Sequence, residues 1–227
     1  MPDARLSITG PGTPSAMTTT AGPARRTTSI GGLEIAFDDR VLRPRPWTAA
    51  QSEWAADLLE RAPAGPVLEL CTGAGHIGLL AILTSSRRLV AVDADPVACE
   101  FAAANAADAG LVDRVEVRNA TLQTALAEGE EFPVIIADPP WVPTVRVADF
   151  PEDPVLAIDG GEDGLVLARA CLEVAAAHLA ADGVMLLQLG TLDQAAALDD
   201  ALARAGLLVS EVRRPAPDGV VVCLRRG

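Results

Sequence analysis

Short runs of β-branched and other apolar residues recur along this chain of 227 residues, and they alternate with segments whose apolar residues have a helical spacing. Seven of these runs predict strands, at residues 67–71, 89–93, 115–117, 134–137, 184–189, 207–212 and 220–224. Helices are predicted from about residue 73, after Asp95, from 164 to 181, and after Thr191. The alternation predicts an α/β fold: a three-layer sandwich on a Rossmann-like, seven-stranded, mainly parallel sheet with an antiparallel C-terminal strand.

Two residue pairs have the spacing of a capping box, in which threonine and glutamine side chains satisfy the free N–H groups at a helix start. The pairs are Thr48 with Gln51 and Thr191 with Gln194. They predict helix starts at both threonines. The first of these helices is expected to end at about residue 61.

The chain length suits one main domain with an N-terminal extension. Residues 1–29 are rich in Thr, Pro, Gly, Ala and Ser and predict a disordered tail. Residues 30–62 predict a short hairpin, with its turn at Asp38 and Asp39, followed by a helix. Residues 63–227 form the predicted main domain.

The apolar and cysteine content points to the cytoplasm. No apolar run approaches the roughly 20 residues that a membrane-spanning helix needs. The cysteines stand alone, without a Cys-x-x-Cys pair, which favours reduced thiols and no structural metal. They are Cys71, Cys99, Cys171 and Cys223.

The charge balance is strongly acidic. The formal net charge is −13, and residues 1–29 contribute +2, so the remainder carries −15. Such a surface disfavours nucleic acid as a partner, because binding by phosphate neutralisation needs an excess of basic side chains. A local basic groove stays compatible with this balance.

A glycine-rich loop follows the first strand of the main domain. Gly73, Gly75 and Gly78 match the dinucleotide fingerprint, and Asp93 at the end of the next strand is placed to bind ribose hydroxyls. An oxidoreductase that uses NAD is therefore one interpretation. Glu69 argues against it, because a carboxylate at this place would repel a pyrophosphate but attract a positively charged ligand.

A second candidate site follows the strand at 134–137. Asp138, Pro139, Pro140 and Trp141 form a rigid corner of an acid, two prolines and an indole. A carboxylate and a proline carbonyl can accept two N–H bonds while the indole covers a flat group. The corner therefore predicts a site that holds a planar nitrogen group, although a proline-terminated strand without a ligand has the same pattern.

Together these motifs resemble the HemK/PrmC family of class I S-adenosylmethionine-dependent methyltransferases, which methylate the N5 of protein glutamine in release factors. The resemblance covers residues 32–190 and includes the segments at 41–46, 69–78 and 138–143. It is most specific at 157–165, Ala-Ile-Asp-Gly-Gly-Glu-Asp-Gly-Leu, which also suits a turn that caps the next helix. The family has Asn and Tyr where this chain has Asp138 and Trp141.

The resemblance implies the class I methyltransferase fold, S-adenosylmethionine as cofactor, and a protein substrate such as a release factor. The implied cofactor-binding residues are Glu69, Cys71, Thr72, Gly73, Gly75, Asp93, Ala94, Ala120, Thr121 and Asp138. The implied catalytic residues are Asp138, Pro139, Pro140 and Trp141. No metal is implied.

Three alternatives to glutamine methylation remain open at this point. Asp138 and Trp141 resemble the corners of adenine-N6 methyltransferases, which favours the exocyclic amine of a nucleic acid base or a small metabolite as the acceptor. The others are the NAD-dependent oxidoreductase and a cofactor-binding module without catalysis. His76, beside the glycine loop, is interpreted as a packing or solvent-facing residue and not as a general base.

Overall fold

The computed structural model describes residues 23–215 and 219–227. A hairpin of β1 (Arg26–Ile30) and β2 (Leu33–Phe37) comes first. The strands of the main sheet are β3 (Val67–Leu70), β4 (Leu89–Asp93), β5 (Val115–Asn119), β6 (Phe132–Ala137), β7 (Leu179–Leu189), β8 (Leu207–Arg213) and β9 (Val220–Arg226). The helices are α1 (Ala49–Leu59), α2 (His76–Ile82), α3 (Pro96–Asp108), α4 (Val155–Ile158), α5 (Val166–His178), α6 (Leu192–Ala196) and α7 (Asp199–Ala205).

The main sheet has the strand order β5-β4-β3-β6-β7-β9-β8. All pairings are parallel except those of β9, which runs antiparallel to β7 and to β8. Buried apolar residues cover both faces: the hairpin, α1, α2 and α3 pack on one face, and α5 and α7 on the other. The predicted three-layer sandwich with an antiparallel C-terminal strand is confirmed.

The N-terminal hairpin lies earlier in the chain than predicted. Its turn is at Gly31 and Gly32, which both have positive φ angles, and not at Asp38 and Asp39. Glycine adopts these angles without steric cost, so the Gly-Gly pair determines the turn. Residues 26–29 therefore belong to β1 and not to a tail. The rest of the predicted tail, residues 1–22, lies outside the described residues.

The first predicted capping box does not form. A 3-10 turn (Pro46–Thr48) precedes α1, so Thr48 already has helical dihedral angles and cannot act as an N-cap. Its hydroxyl donates to the Arg45 carbonyl at 2.7 Å. Gln51 instead turns into the core, where its amide donates to the carbonyls of Ala137 and Leu186 at 3.1 and 3.3 Å. Gln51 thus fixes the ends of β6 and β7 to α1.

The other local signals are met. Asp95 caps α3 by accepting from the Val97 N–H at 2.9 Å. Thr191 caps α6 through the Gln194 N–H at 3.1 Å, although the predicted helix is divided into α6 and α7. Residues 216–218, between the last two strands, lie outside the described residues. Within the described ranges, no helix has both the length and the apolar character to cross a membrane.

Candidate functional site

The loop after β3 forms one wall of a cleft at the carboxyl end of the sheet. Cys71 and Gly73 have positive φ angles of 58° and 54°, so the backbone turns sharply after the strand. A Cβ atom at Gly73 would meet nothing within 4 Å. The backbone is therefore open to close approach by a ligand. The residues that this loop and the start of α2 contribute to the wall are Cys71, Thr72, Gly73, Ala74, His76 and Ile77.

Glu69 lies underneath this loop and is almost fully buried. Its carboxylate accepts from the Thr72 hydroxyl and from the Gly78 N–H, the latter at 2.9 Å. A Cβ atom at Gly78 would collide with this carboxylate, so the third glycine of the triplet makes room for the acid. The structure thus places Glu69 behind the loop, and a contact between Glu69 and a cofactor stays a prediction. Its position shows it as a support of the loop.

Asp93 lines the cleft opposite the glycine loop, together with Ala94. One carboxylate oxygen accepts from the Gly73 N–H at 2.8 Å, and the other accepts from the Asp95 N–H at 2.9 Å. Burial raises the pKa of Asp93, and these two hydrogen bonds oppose the increase. The carboxylate therefore fixes the loop and keeps free lone pairs for a ligand's hydroxyl groups.

Three further predicted cofactor residues do not contribute to the cleft wall. Gly75 has a φ of 85°, and a Cβ atom there would lie 3.1 Å from Ala102 of α3. The Ala120 N–H donates to the Asp93 carbonyl at 2.9 Å, and the Thr121 hydroxyl lies 3.0 Å from that of Thr124. A contact between Ala120 or Thr121 and a cofactor stays a prediction.

The proline corner follows β6 directly and lines a second cavity. Asp138, Pro139, Pro140 and Trp141 all contribute to its wall. Asp138 and Pro140 also line the first cleft, so the two spaces meet at the corner. Gly190 leaves room for the indole, because a Cβ atom there would lie 2.8 Å from Cζ3 of Trp141.

Two carboxyl groups near this junction resist ionisation. Burial raises the pKa of Asp138 to about 7, and no hydrogen bond within the described chain offsets the effect. Burial also raises the pKa of Glu69 to about 7, despite its bonds to Thr72 and Gly78. Asp138 is therefore the acid at the junction that a ligand would supply with its missing hydrogen bonds.

The glycine-rich segment at 157–165 packs behind the corner. Val142 makes two backbone bonds to this segment: its N–H donates to the Ile158 carbonyl at 2.9 Å, and its carbonyl accepts from the Gly160 N–H at 2.8 Å. A Cβ atom at Gly160 would lie 2.7 Å from the Pro140 carbonyl oxygen. A Cβ atom at Gly164 would collide with the Trp141 carbonyl. These glycines are required because the backbone of the corner lies against them.

The same segment also supports the next helix. Asp163 accepts from the Leu165 N–H at 3.0 Å and pairs with Arg169 at 2.6 Å. The segment therefore forms a turn before α5, but no side chain caps this helix, whose N-cap residue is Leu165.

Residues before α1 complete both cavities. The first cleft and the second cavity are both lined by Leu42, Arg45 and Thr48. Ala157 of α4 lines both cavities as well. Arg45 forms a two-contact ion pair with Asp153 at 2.6 and 2.7 Å, which joins the N-terminal segment to the segment after the corner. Sequence reasoning used residues 41–46 only for the family resemblance and did not predict them as site residues.

His76 is buried at the start of α2, in agreement with its interpretation as a packing residue. Its Nε2 lies 2.7 Å from the Thr48 hydroxyl. That hydroxyl donates to the Arg45 carbonyl, so we assign the proton to Nε2 of His76. Burial lowers the pKa of His76 to about 4, so the ring is neutral near pH 7.

The residues of the first cleft fit S-adenosylmethionine. Glu69, Asp93 and Asp138 lie in or beneath its wall with pKa values raised by burial, so a positively charged ligand would relieve the cost of their ionisation. Of the three arginines along the cleft, Arg40 is paired with Asp38 and Arg45 with Asp153. The open backbone at Gly73 and these carboxyl groups suit a sulfonium and an ammonium better than a diphosphate.

Two relatives agree with the predicted resemblance to the HemK/PrmC family. The chain is 37% identical to the ribosomal protein uL3 glutamine methyltransferase of Bordetella pertussis, over 71% of this chain and 56% of the relative. It is 28% identical to the release factor glutamine methyltransferase of Clostridium acetobutylicum, over 86% of this chain and 72% of the relative. The chain thus spans about half the length of the first relative. The HemK/PrmC-like resemblance is confirmed.

The fold also occurs in a solved structure of known class. The solved structure of the ribosomal protein L11 methylase from Lactobacillus delbrueckii subsp. bulgaricus has the same fold, with a TM-score of 0.60, 18% identity and coverage of 83% of both chains. Residues 36–149, half of the chain, match the family described as Conserved hypothetical protein 95. The chain belongs to this family.

Proposed function

We propose that this chain is an S-adenosylmethionine-dependent N-methyltransferase that acts on the side-chain amide of a glutamine in a protein. The observation that carries the proposal is the position of Asp138, a half-buried acceptor without a partner in the described chain, at the junction of the two cavities. Relatives named for glutamine methylation support the same substrate class. The four free cysteines support a reducing compartment, and we place the protein in the cytoplasm.

In this proposal Asp138, Pro139 and Trp141 of the corner each have a separate role. S-adenosylmethionine, when bound, supplies an electrophilic methyl group. An amide nitrogen is a weak nucleophile because its lone pair is delocalised. Asp138 and the Pro139 carbonyl accept the two N–H groups of the substrate, which turns the lone pair toward the first cleft and stabilises positive charge on nitrogen. Trp141 covers the planar amide, and the proton leaves to solvent afterwards.

Transfer to a purified acceptor tests the proposal. We expect label from methyl-labelled S-adenosylmethionine to enter a release factor or ribosomal protein uL3, and mass spectrometry to locate it on a glutamine side chain. Purified RNA and a small-molecule extract serve as competing acceptors. Label on a base amine or a metabolite, with none on glutamine, would contradict the proposal.

A base amine remains the second candidate acceptor because of one further observation. Trp47 lines the second cavity together with Trp141, and two indoles suit a flat ring as well as an amide. The RNA arm of the labelling experiment decides between them. Calorimetry tests the NAD-dependent oxidoreductase, because NAD binding without S-adenosylhomocysteine binding would contradict methylation. A binding module without catalysis would bind S-adenosylhomocysteine but transfer no label.

We expect activity to rise with pH because the ionised form of Asp138 is the stronger acceptor. With a pKa of about 7, the ionised fraction and kcat/KM should rise about tenfold between about pH 6 and about pH 8. The measurement is a pH profile of wild type and Asp138→Asn, and the variant should lose the rise. An equal rise in both would contradict the assignment to Asp138.

The same pKa values should lower the free energy of unfolding as pH rises, whereas activity should increase. Burial raises the folded-state pKa of Asp138 and Glu69 above their ordinary values, so the folded state binds more protons than the unfolded state between about pH 4 and about pH 7. Their contribution to the free energy of unfolding therefore decreases as pH rises through this window. Maximal activity and maximal stability are expected at different pH values.

A further inference from the structure

Exposed apolar side chains surround the two cavities. We define the apolar rim as Trp47, Val145, Val155, Leu156 and Leu192, which are half of the ten large hydrophobic side chains that are exposed in the described chain. Trp47 and Leu156 line the cavities themselves. The other three are adjacent in sequence to residues that line them: Val145 to Arg146, Val155 to Pro154 and Leu156, and Leu192 to Thr191.

A ligand confined to the cavities would leave the outer part of this rim in water. Val145 is 85% exposed and Val155 is 58% exposed. Both lie on short helical segments after the corner, the 3-10 turn (Thr144–Asp149) and α4. Exposed apolar side chains gathered around a site mark a surface that a macromolecule covers.

The charge around the rim indicates which kind of macromolecule fits. Residues 144–165 contain six acidic side chains and one arginine, a net charge of −5. Glu152, an acid of this segment, lies on the wall of the second cavity. A phosphate backbone would be repelled here, whereas a polypeptide can present apolar and basic side chains together.

We propose that the apolar rim is the docking surface for a folded protein substrate, whose apolar patch, flanked by basic side chains, covers the rim while its glutamine enters the cavity. This inference rests on the proposed function. It adds that the enzyme recognises the surface of a folded protein and not the glutamine alone.

A charge placed on the outer rim tests the inference. Val155→Asp should raise the KM for an intact release factor or uL3 about tenfold, because it places an unpaired charge where an apolar contact forms. Val112→Asp is the matched control: Val112 is 60% exposed in a 3-10 turn before β5, at the opposite end of the sheet. Neither residue belongs to the catalytic or cofactor-binding machinery.

Three measurements separate docking from other effects. A synthetic peptide with the methylated glutamine and its immediate neighbours should give the same kcat/KM with wild type and Val155→Asp. Calorimetry with S-adenosylhomocysteine and thermal unfolding should also be unchanged. Val145→Asp should reproduce the effect of Val155→Asp on the intact protein.

The outcomes are distinguishable. If wild type methylates no glutamine, the proposed function fails, and binding of the intact proteins to Val155→Asp and Val112→Asp still tests the rim. If wild type methylates glutamine but Val155→Asp and Val145→Asp keep its KM, the apolar rim is not the docking surface. If Val155→Asp weakens methylation of RNA instead of protein, the rim serves a nucleic acid and the inference is overturned.

Discussion

Replacement of Asp138 by alanine should lower kcat about 100- to 1,000-fold. Asp138 lies at the junction of the first cleft and the second cavity, and its half-buried carboxylate has no partner in the described chain. Its removal leaves an N–H of the substrate without an acceptor during the reaction. Steady-state kinetics with a protein acceptor measures the loss.

Two controls restrict the interpretation of this result. Calorimetry with S-adenosylhomocysteine should give nearly the same affinity for Asp138→Ala and wild type, since the variant keeps the Gly73 loop and Asp93. Asp138→Asn, which keeps a neutral acceptor oxygen and matches the HemK/PrmC corner, should lose less activity than Asp138→Ala. Full activity in Asp138→Ala would refute the role of the corner.

Replacement of Gly164 by alanine should strongly destabilise the protein. Gly164 has a φ of 75°, and an added Cβ would collide with the Trp141 carbonyl and lie 2.6 Å from the Gln194 amide. Gly129→Ala is the matched control, because its φ is 83° but a Cβ there meets nothing within 4 Å.

Both variants pay the cost of a left-handed backbone, roughly 1–2 kcal/mol. Only Gly164→Ala adds the collision, so its free energy of unfolding should be lower than that of Gly129→Ala by about 1–3 kcal/mol. Urea unfolding measures the difference, and kcat of the folded fraction should also fall because the Trp141 backbone moves. Equal unfolding free energies would show that the segment does not support the corner.

Local chemistry made the elements predictable. The apolar runs of β3 to β9 and the caps at Asp95 and Thr191 depend on residues within one turn or one strand, so the sequence contains the whole interaction. The wall residues Cys71, Thr72, Gly73, Asp93 and Ala94 followed from the rule that ligands bind at the carboxyl ends of parallel strands. The proline corner could be identified for the same reason.

The wrong predictions concern side chains that can form a hydrogen bond either with a neighbour in sequence or with a distant residue. Thr48 and Gln51 have the spacing of a capping box, but Thr48 bonds to Arg45 and His76, and Gln51 reaches two strands across the core. Glu69 has distant partners too, because it lies under the loop and accepts from the Gly78 N–H. No spacing rule contains these distant partners.

The sequence was sufficient to predict the succession of strands and helices along the chain, the glycine loop, the acid at Asp93 and the rigid corner at Asp138. The tertiary structure alone decided that two cavities meet at Asp138, that Arg45 and Asp153 join across them, and that Gly160 and Gly164 hold the corner from behind. The physical reason is range: strands, caps and turns are set by neighbours along the chain, whereas burial and its effect on the pKa of Asp138 depend on segments that meet only after folding.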